Sequence, residues 1–129
     1  MEQQVKDTVL AVYQALQDLN ADELDSHFSH SPDLLAFGQR WDSRHKDFDG
    51  ISAEHHRELE TLKAFKIDSK ELEVHVRGSV AWTADRAHGV VTTGDDRTHE
   101  SDLRITLVLE EEQPGGPWLI VQWHASRGA

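Results

Sequence analysis

A chain of 129 residues with 37% hydrophobic side chains can build one core but not two, and its 24 acidic against 13 basic residues, a net charge of −11, oppose binding to nucleic acid or to an anionic membrane. With no cysteine, disulfides, thiolate metal sites and cysteine nucleophiles are excluded. No window is apolar enough to span a bilayer and no signal peptide precedes the first helical pattern, so a single cytoplasmic domain over residues 1–129 is expected.

Val5, Val9, Val12, Tyr13, Leu16 and Leu19 recur at helical spacing and predict an amphipathic helix over residues 2–19. Asn20 and Asp22 offer caps for a short second helix carrying Leu24 and Phe28, which cannot pass Pro32, so the two make a helical hairpin. Leu34 to Phe37 is a brief apolar run bounded by Pro32 and Gly38 and predicts a short strand. Residues 38–50 read as a polar loop in which Trp41 and Phe48 lie over something apolar. From Ile51 a third helix puts Ile51, His55, Leu59 and Leu62 on one buried stripe, with His55 where leucine would be the default.

Beyond Phe65 the period changes to two. Ile67–Arg77, Val80–Thr93, Ser101–Glu111 and Trp118–Ser126 predict four strands, separated by turns at Gly78-Ser79, Gly94-Asp95-Asp96 and Pro114-Gly115-Gly116-Pro117, that meet as an antiparallel meander. Helices first and strands afterwards is the α+β order, with the helices on one face of a curved sheet. Parity sets Leu103, Ile105, Leu107 and Leu109 against Arg104, Thr106 and Val108. On the last strand Leu119, Val121, Trp123 and Ala125 oppose Trp118, Ile120, Gln122, His124 and Ser126, so apolar residues fall on both faces. Such a sheet predicts a partner, a homodimer through the sheet being the simplest.

Arg104 and Thr106, the glycine turn, and Trp118-x-x-Val121-x-Trp123-His124-x-Ser126 resemble the nuclear transport factor 2-like superfamily, in particular the SnoaL-like group related to the association domain of calmodulin-dependent protein kinase II. Val80-Ala81-Trp82 and Asp49-Gly50 before the third helix support the resemblance, which spans nearly the whole chain. It implies a cone-shaped, strongly curved antiparallel sheet packed on the N-terminal hairpin and the third helix, with a pocket between sheet and helices and dimerisation through the sheet. Steroid isomerases of this fold carry a carboxylate base near the end of the first strand, where this chain has Ala36, Phe37 and Gly38, and a tyrosine late in the first helix, where it has Ala15. Of the arginines that converge in the kinase association domain, Arg104 matches one, whereas Ala125 replaces the arginine after the strand histidine.

The candidate ligand-binding residues are Trp41, His55, Trp82, His88, Arg104, Trp123 and His124. An arginine in an apolar strand could clamp a carboxylate through a bidentate pair. Parity turns Arg104 away from the leucine face, while the resemblance places it in the pocket. His55, His88 and His124 could move protons near neutral pH if burial lowers their basicity, or serve as hydrogen-bonded structural groups. The tryptophans could line an apolar site or fill the core. His27-x-x-His30 is the only metal-like spacing and finds no third ligand, and Asp95, Asp96, His99 and Asp102 sit on a solvated hairpin, so no metal and no cofactor is expected. Phosphate-loop and Gly-x-Ser-x-Gly patterns are absent. The leading expectation is binding of a small apolar or carboxylated molecule without assigned catalysis. The alternatives are an isomerase, cyclase or lyase using histidine proton transfer, and a dimeric assembly domain.

Overall fold

In the computed structural model, which describes residues 1–37 and 44–127, three helices cover one face of a curled, unclosed seven-stranded sheet. Helix α1, Glu2–Gln17, buries Val5, Val9, Val12, Tyr13 and Ala15. It ends where Leu19 takes a left-handed conformation at φ 53°, with Leu19 N–H bonded to Leu16 O and Asn20 N–H to Ala15 O. A residue with a Cβ pays about 1 kcal/mol for that conformation, offset here by the two closed carbonyls and by Leu19 packing against the core. Asn20 then caps α2, Ala21–Asp25, by accepting the Glu23 N–H at 3.0 Å.

The chain leaving α2 is stitched to the last strand: Ser29 N–H bonds Ile120 O at 2.9 Å and Ile120 N–H bonds His27 O at 2.8 Å. Strands β1, Leu35–Phe37, and β2, Arg44–His45, follow. Helix α3, Phe48–Glu60, begins earlier than its apolar stripe indicates, because Asp47 caps it by accepting the Gly50 N–H at 2.7 Å. A Cβ on Gly50 would stand 3.0 Å from the capping oxygen, so the glycine makes room for the cap. Residues 48–50 are thus the first turn of α3 rather than the end of a loop, and Leu62 opens the next strand rather than closing the helix. Trp41, assigned to that loop, lies outside the described residues.

The remaining strands are β3, Leu62–Ser69; β4, Glu73–Arg77; β5, Val80–Thr93; β6, Thr98–Glu111; and β7, Trp118–Arg127. Their order is β2-β1-β7-β6-β5-β3, with β4 also on β5, and the pairing is antiparallel except where β1 runs parallel to β7. The single strand expected over 67–77 is two strands, broken where the Glu71 N–H turns to the side chain of Asp85 at 3.0 Å. Asp85 is buried and also accepts the Tyr13 hydroxyl at 2.8 Å. Burial and this neighbouring carboxylate push the Tyr13 phenol well above its ordinary value, so it stays a donor.

The apolar residues that parity splits between the two faces of the last strand are largely brought onto one. Between Val108 paired with Gln122 and Leu109 paired with Ile120 the register shifts, leaving Val121 as an extra residue in a bulge. Trp118 and Ile120 therefore join Leu103, Ile105, Leu107, Leu109 and Ala125 on the helix-covered face, all of them buried.

Candidate functional site

Between α3 and the inner face of the sheet lies a cavity of about 560 Å³, within the range of roughly 300–1,000 Å³ common for small-molecule sites. Its apolar lining includes Phe65 and Ile67 of β3, Val91 of β5, Leu103 and Ile105 of β6 and Trp123 of β7. Gly89 of β5 faces the same space, and a Cβ there would approach Leu103 Cδ1 to 3.1 Å. The missing side chain helps keep the cavity open.

Helix α3 supplies the polar wall. Glu54, Arg57, Glu58 and Thr61, spaced i, i+3, i+4 and i+7, face the cavity, whereas Ile51, His55 and Leu59 form a second stripe. Glu54 pairs with Arg57, and His45 Nε2 of β2 stands 3.9 Å from its Oε2. The Arg57 hydrogen bond holds the Glu54 carboxyl below its ordinary value, with the Glu58 hydrogen bond acting in the same direction. Glu58 responds oppositely: partial desolvation of its carboxyl at the cavity wall, then the neighbouring Glu54, push it up to about 7, although the residue as a whole is exposed and water screens the effect.

On the other stripe the polar groups are closed. His55 Nδ1 donates to Asp25 Oδ1 at 2.7 Å, and Ser52 Oγ donates to Asp25 Oδ2 at 2.6 Å. Phe28 sets its ring edge-on to His55 at 4.8 Å and lies 6.1 Å from Trp123, so it stands between this cluster and the cavity's tryptophan. Burial lowers the basicity of His55, with Asp25 opposing, which leaves the imidazole neutral at pH 7. The neighbouring His56 bonds Ser52 O through Nδ1 at 2.8 Å and Asp22 Oδ1 through Nε2 at 3.0 Å, and these two contacts raise its pKa. Asp22, Asp25 and His56 are the group among the described residues whose donor atoms, within 4.8 Å of one another, could hold a metal ion. Each already has a protein partner. His27 and His30 fall beyond the end of α2 and so do not share a helix face.

Of the seven residues selected from sequence, Trp123 lines the cavity and His55 approaches it behind Phe28. Trp82, His88, Arg104 and His124 face away, on the outer side of the sheet. Arg104 is exposed, paired across strands with Arg86 and Ser126, while Ile105 beside it is buried. Parity was therefore the correct guide to its face. His88 meets Asp102 at 3.0 Å and Glu100 at 3.3 Å, which raise its pKa. Trp82, 40% exposed, lies between His75, stacked at 5.7 Å, and Arg77 at 5.8 Å. His124 is exposed beside Phe37 at 5.8 Å. Trp41 is not among the described residues.

Glu54 and Glu58 were not among the sequence candidates, yet a signal was present. Two like charges at i and i+4 destabilise an isolated helix, and a local choice that opposes the fold marks a place where something else is being served.

No curated protein sequence matches the chain. Solved structures similar to it include a proposed dehydratase of the nuclear transport factor 2-like family from Streptomyces avermitilis, 16% identical with a TM-score of 0.88, covering 99% of this chain and 96% of that one. A nuclear transport factor 2-like superfamily protein from Salmonella enterica is 17% identical with a TM-score of 0.88, over 99% and 91% of the two chains. A proposed calcium/calmodulin-dependent protein kinase II association domain from Xanthomonas campestris is 18% identical with a TM-score of 0.81, over 96% and 85%. At these identities the likeness is one of fold, an α+β cone. The sequence profile of the SnoaL-like domain matches residues 5–129, and the chain belongs to that family.

Proposed function

We propose that this chain binds a small, largely apolar molecule in the cavity between α3 and the inner face of the sheet. The observation that carries the reading is the pairing of an apolar floor, Phe65, Ile105 and Trp123 among its residues, with a polar wall drawn from one helix. That arrangement buries the body of a ligand and orients it through a few polar groups. Arg104 lies on the other face of its strand, so a carboxylate clamp at that residue is not part of the proposal. Retained ligand in native mass spectrometry, and quenching of Trp123 fluorescence by aromatic ketones and alcohols, test it. Ala125→Phe, which projects a ring into the cavity, should abolish quenching with the fold intact by circular dichroism. Arg104→Ala should leave affinity unchanged. Binding that survives Ala125→Phe would place the ligand elsewhere.

A second copy of the chain is the partner proposed for the outer sheet face. Trp82, Val108, Gln122 and Leu35 form one cross-strand row there, and Ala84, Thr106, His124 and Phe37 the next. Trp82 and Val80, at 40% and 38% exposed, are among the large apolar side chains left in water, and the similarity to an association domain supports self-assembly. Light scattering should give a dimer, and Trp82→Glu a monomer; a monomeric parent at micromolar concentration would remove this interface.

A further inference from the structure

We infer that the outer sheet face meets a second copy in one register, Arg104 of each copy set against Asp102 of the other, and that this pairing makes the association sensitive to salt. The inference rests on the self-assembly reading above and adds to it the position of the two-fold axis. Strands β5 and β6 are fourteen residues each, and Arg86 and Arg104, directly opposite one another across them, are the seventh residue of each, counted from Val80 and Thr98. Like charges directly opposite destabilise a sheet, so two exposed arginines at the centre of the face point to a partner outside the chain. Arg86 turns its Nε to Glu71 Oε2 at 2.9 Å, whereas Arg104 has no hydrogen bond or ion pair among the described residues. One row further, about 7 Å along the strands, Asp68, His88 and Asp102 stand side by side. Glu100 reaches the same imidazole at 3.3 Å. Three carboxylates around one histidine keep this row negative whether or not the ring is protonated, and His88 engages only Oδ1 of Asp102, leaving Oδ2 to face outward.

A positive row beside a negative one restricts how two identical faces can close. For sheets packed face to face the two-fold axis lies in the plane between them, and every contact it makes occurs twice. An axis along the strands, or one across them through the arginine row, lays arginine on arginine. An axis across the strands midway between the two rows instead lays Arg104 over the second copy's Asp102, and Arg86 over its His88 with Asp68 and Asp102 on either side. The same axis sets Ala84 over the second copy's Val90 and Trp82 over its Thr92, so β5 meets β5 along nearly its whole length and the exposed tryptophan is covered. Moving the axis toward Trp82 would overlap only the strand ends. Charge and buried area thus select the same register.

The test is a charge swap read by sedimentation equilibrium. Arg104→Asp puts two acid–acid pairs into its own dimer and Asp102→Arg two arginine–arginine pairs, so each variant alone should associate roughly a hundredfold more weakly than the parent. Mixed one to one, each changed residue faces an opposite charge, and the mixture should dimerise with the affinity of the parent. The parent dimer itself should weaken roughly tenfold between about 0.05 M and about 0.5 M sodium chloride, whereas an interface held by apolar contact alone would not. Both positions are exposed, and circular dichroism checks the fold; should either variant fail to fold, the salt titration of the parent carries the test. Variants that dimerise as the parent does, a mixture no tighter than either variant alone, or a parent dimer indifferent to salt overturns the inference. A parent that is monomeric at micromolar concentration overturns instead the self-assembly reading on which it rests.

Discussion

Helix α3 carries two polar clusters that begin at adjacent residues and end in opposite conditions. From His55 the side chain turns toward α2, where Asp25 and Ser52 close around it; from Glu54 and Glu58 the side chains turn to the cavity, where two carboxyls stand together beside open space. The first arrangement is what a fold needs, since each polar group under cover has a partner. The second works against helix stability. The comparison teaches that burial alone is a poor marker of an open polar group: the more buried histidine is the one whose partners close around it, and the carboxyl pushed up to about 7 belongs to an exposed residue at the cavity wall.

The closed cluster should be the costlier to break. Asp25→Ala leaves His55 and Ser52 with buried donors and no acceptor, and is expected to cost about 3 kcal/mol in urea unfolding. A loss below about 1 kcal/mol would mean that the cluster is open and that its contrast with the cavity wall is false. His55→Leu should cost about 2 kcal/mol, because Asp25 Oδ1 then loses its donor while the carboxylate, still largely excluded from water, keeps Ser52 and a longer contact to His56 at 3.7 Å, both on Oδ2. From the stripe of Ile51, Leu59 and Leu62 alone, leucine at this position looks stabilising. That expectation fails for two reasons: Leu62 is not in the helix, and the partner of His55 lies thirty positions away in another one.

Elements whose signals are local were legible in the sequence. The stripe from Val5 to Leu16 predicts α1, and the alternation over 80–93 predicts β5 to the residue. What the sequence could not show depends on contacts between distant segments. The break between β3 and β4 is made by Asp85, a carboxylate fourteen positions downstream of Glu71. The bulge at Val121, which merges two apparent apolar faces, is a matter of pairing register between β6 and β7. The candidate site suffered in the same way. Its lining comes from α1, α3 and five strands, and of the aromatic and basic residues chosen by type, those on even-numbered positions of β5, β6 and β7 (Trp82, His88, Arg104 and His124) face outward. Trp123 alone among the strand candidates reaches the cavity, one residue from His124 on the same strand.

The smallest expected effect is also the one that separates the two clusters most directly, because their stabilities depend on pH in opposite directions. His55 has its folded pKa lowered from 6.5, so its contribution is fully present above 6.5 and is lost as pH falls below it. Glu58 has its folded pKa raised from 4.5 to about 7, so its contribution is fully present below 4.5 and is lost as pH rises toward 7. Glu54, with its pKa lowered, contributes above 4.5 and loses that below it. Between pH 4.5 and 6.5 the His55 and Glu58 slopes oppose one another and the parent should show a shallow profile. Glu58→Gln retains a hydrogen-bond donor toward Glu54 and cannot ionise, so it should match the parent at pH 5 and exceed it at pH 8. The gain is limited to about 1 kcal/mol because the residue keeps contact with water. His55→Leu should leave the complementary profile, falling as pH rises. If Glu58→Gln instead destabilises the chain equally at both pH values, Glu58 is ionised in the folded state at pH 5, its pKa is not raised, and the two sides of α3 differ only in how many partners their carboxylates have.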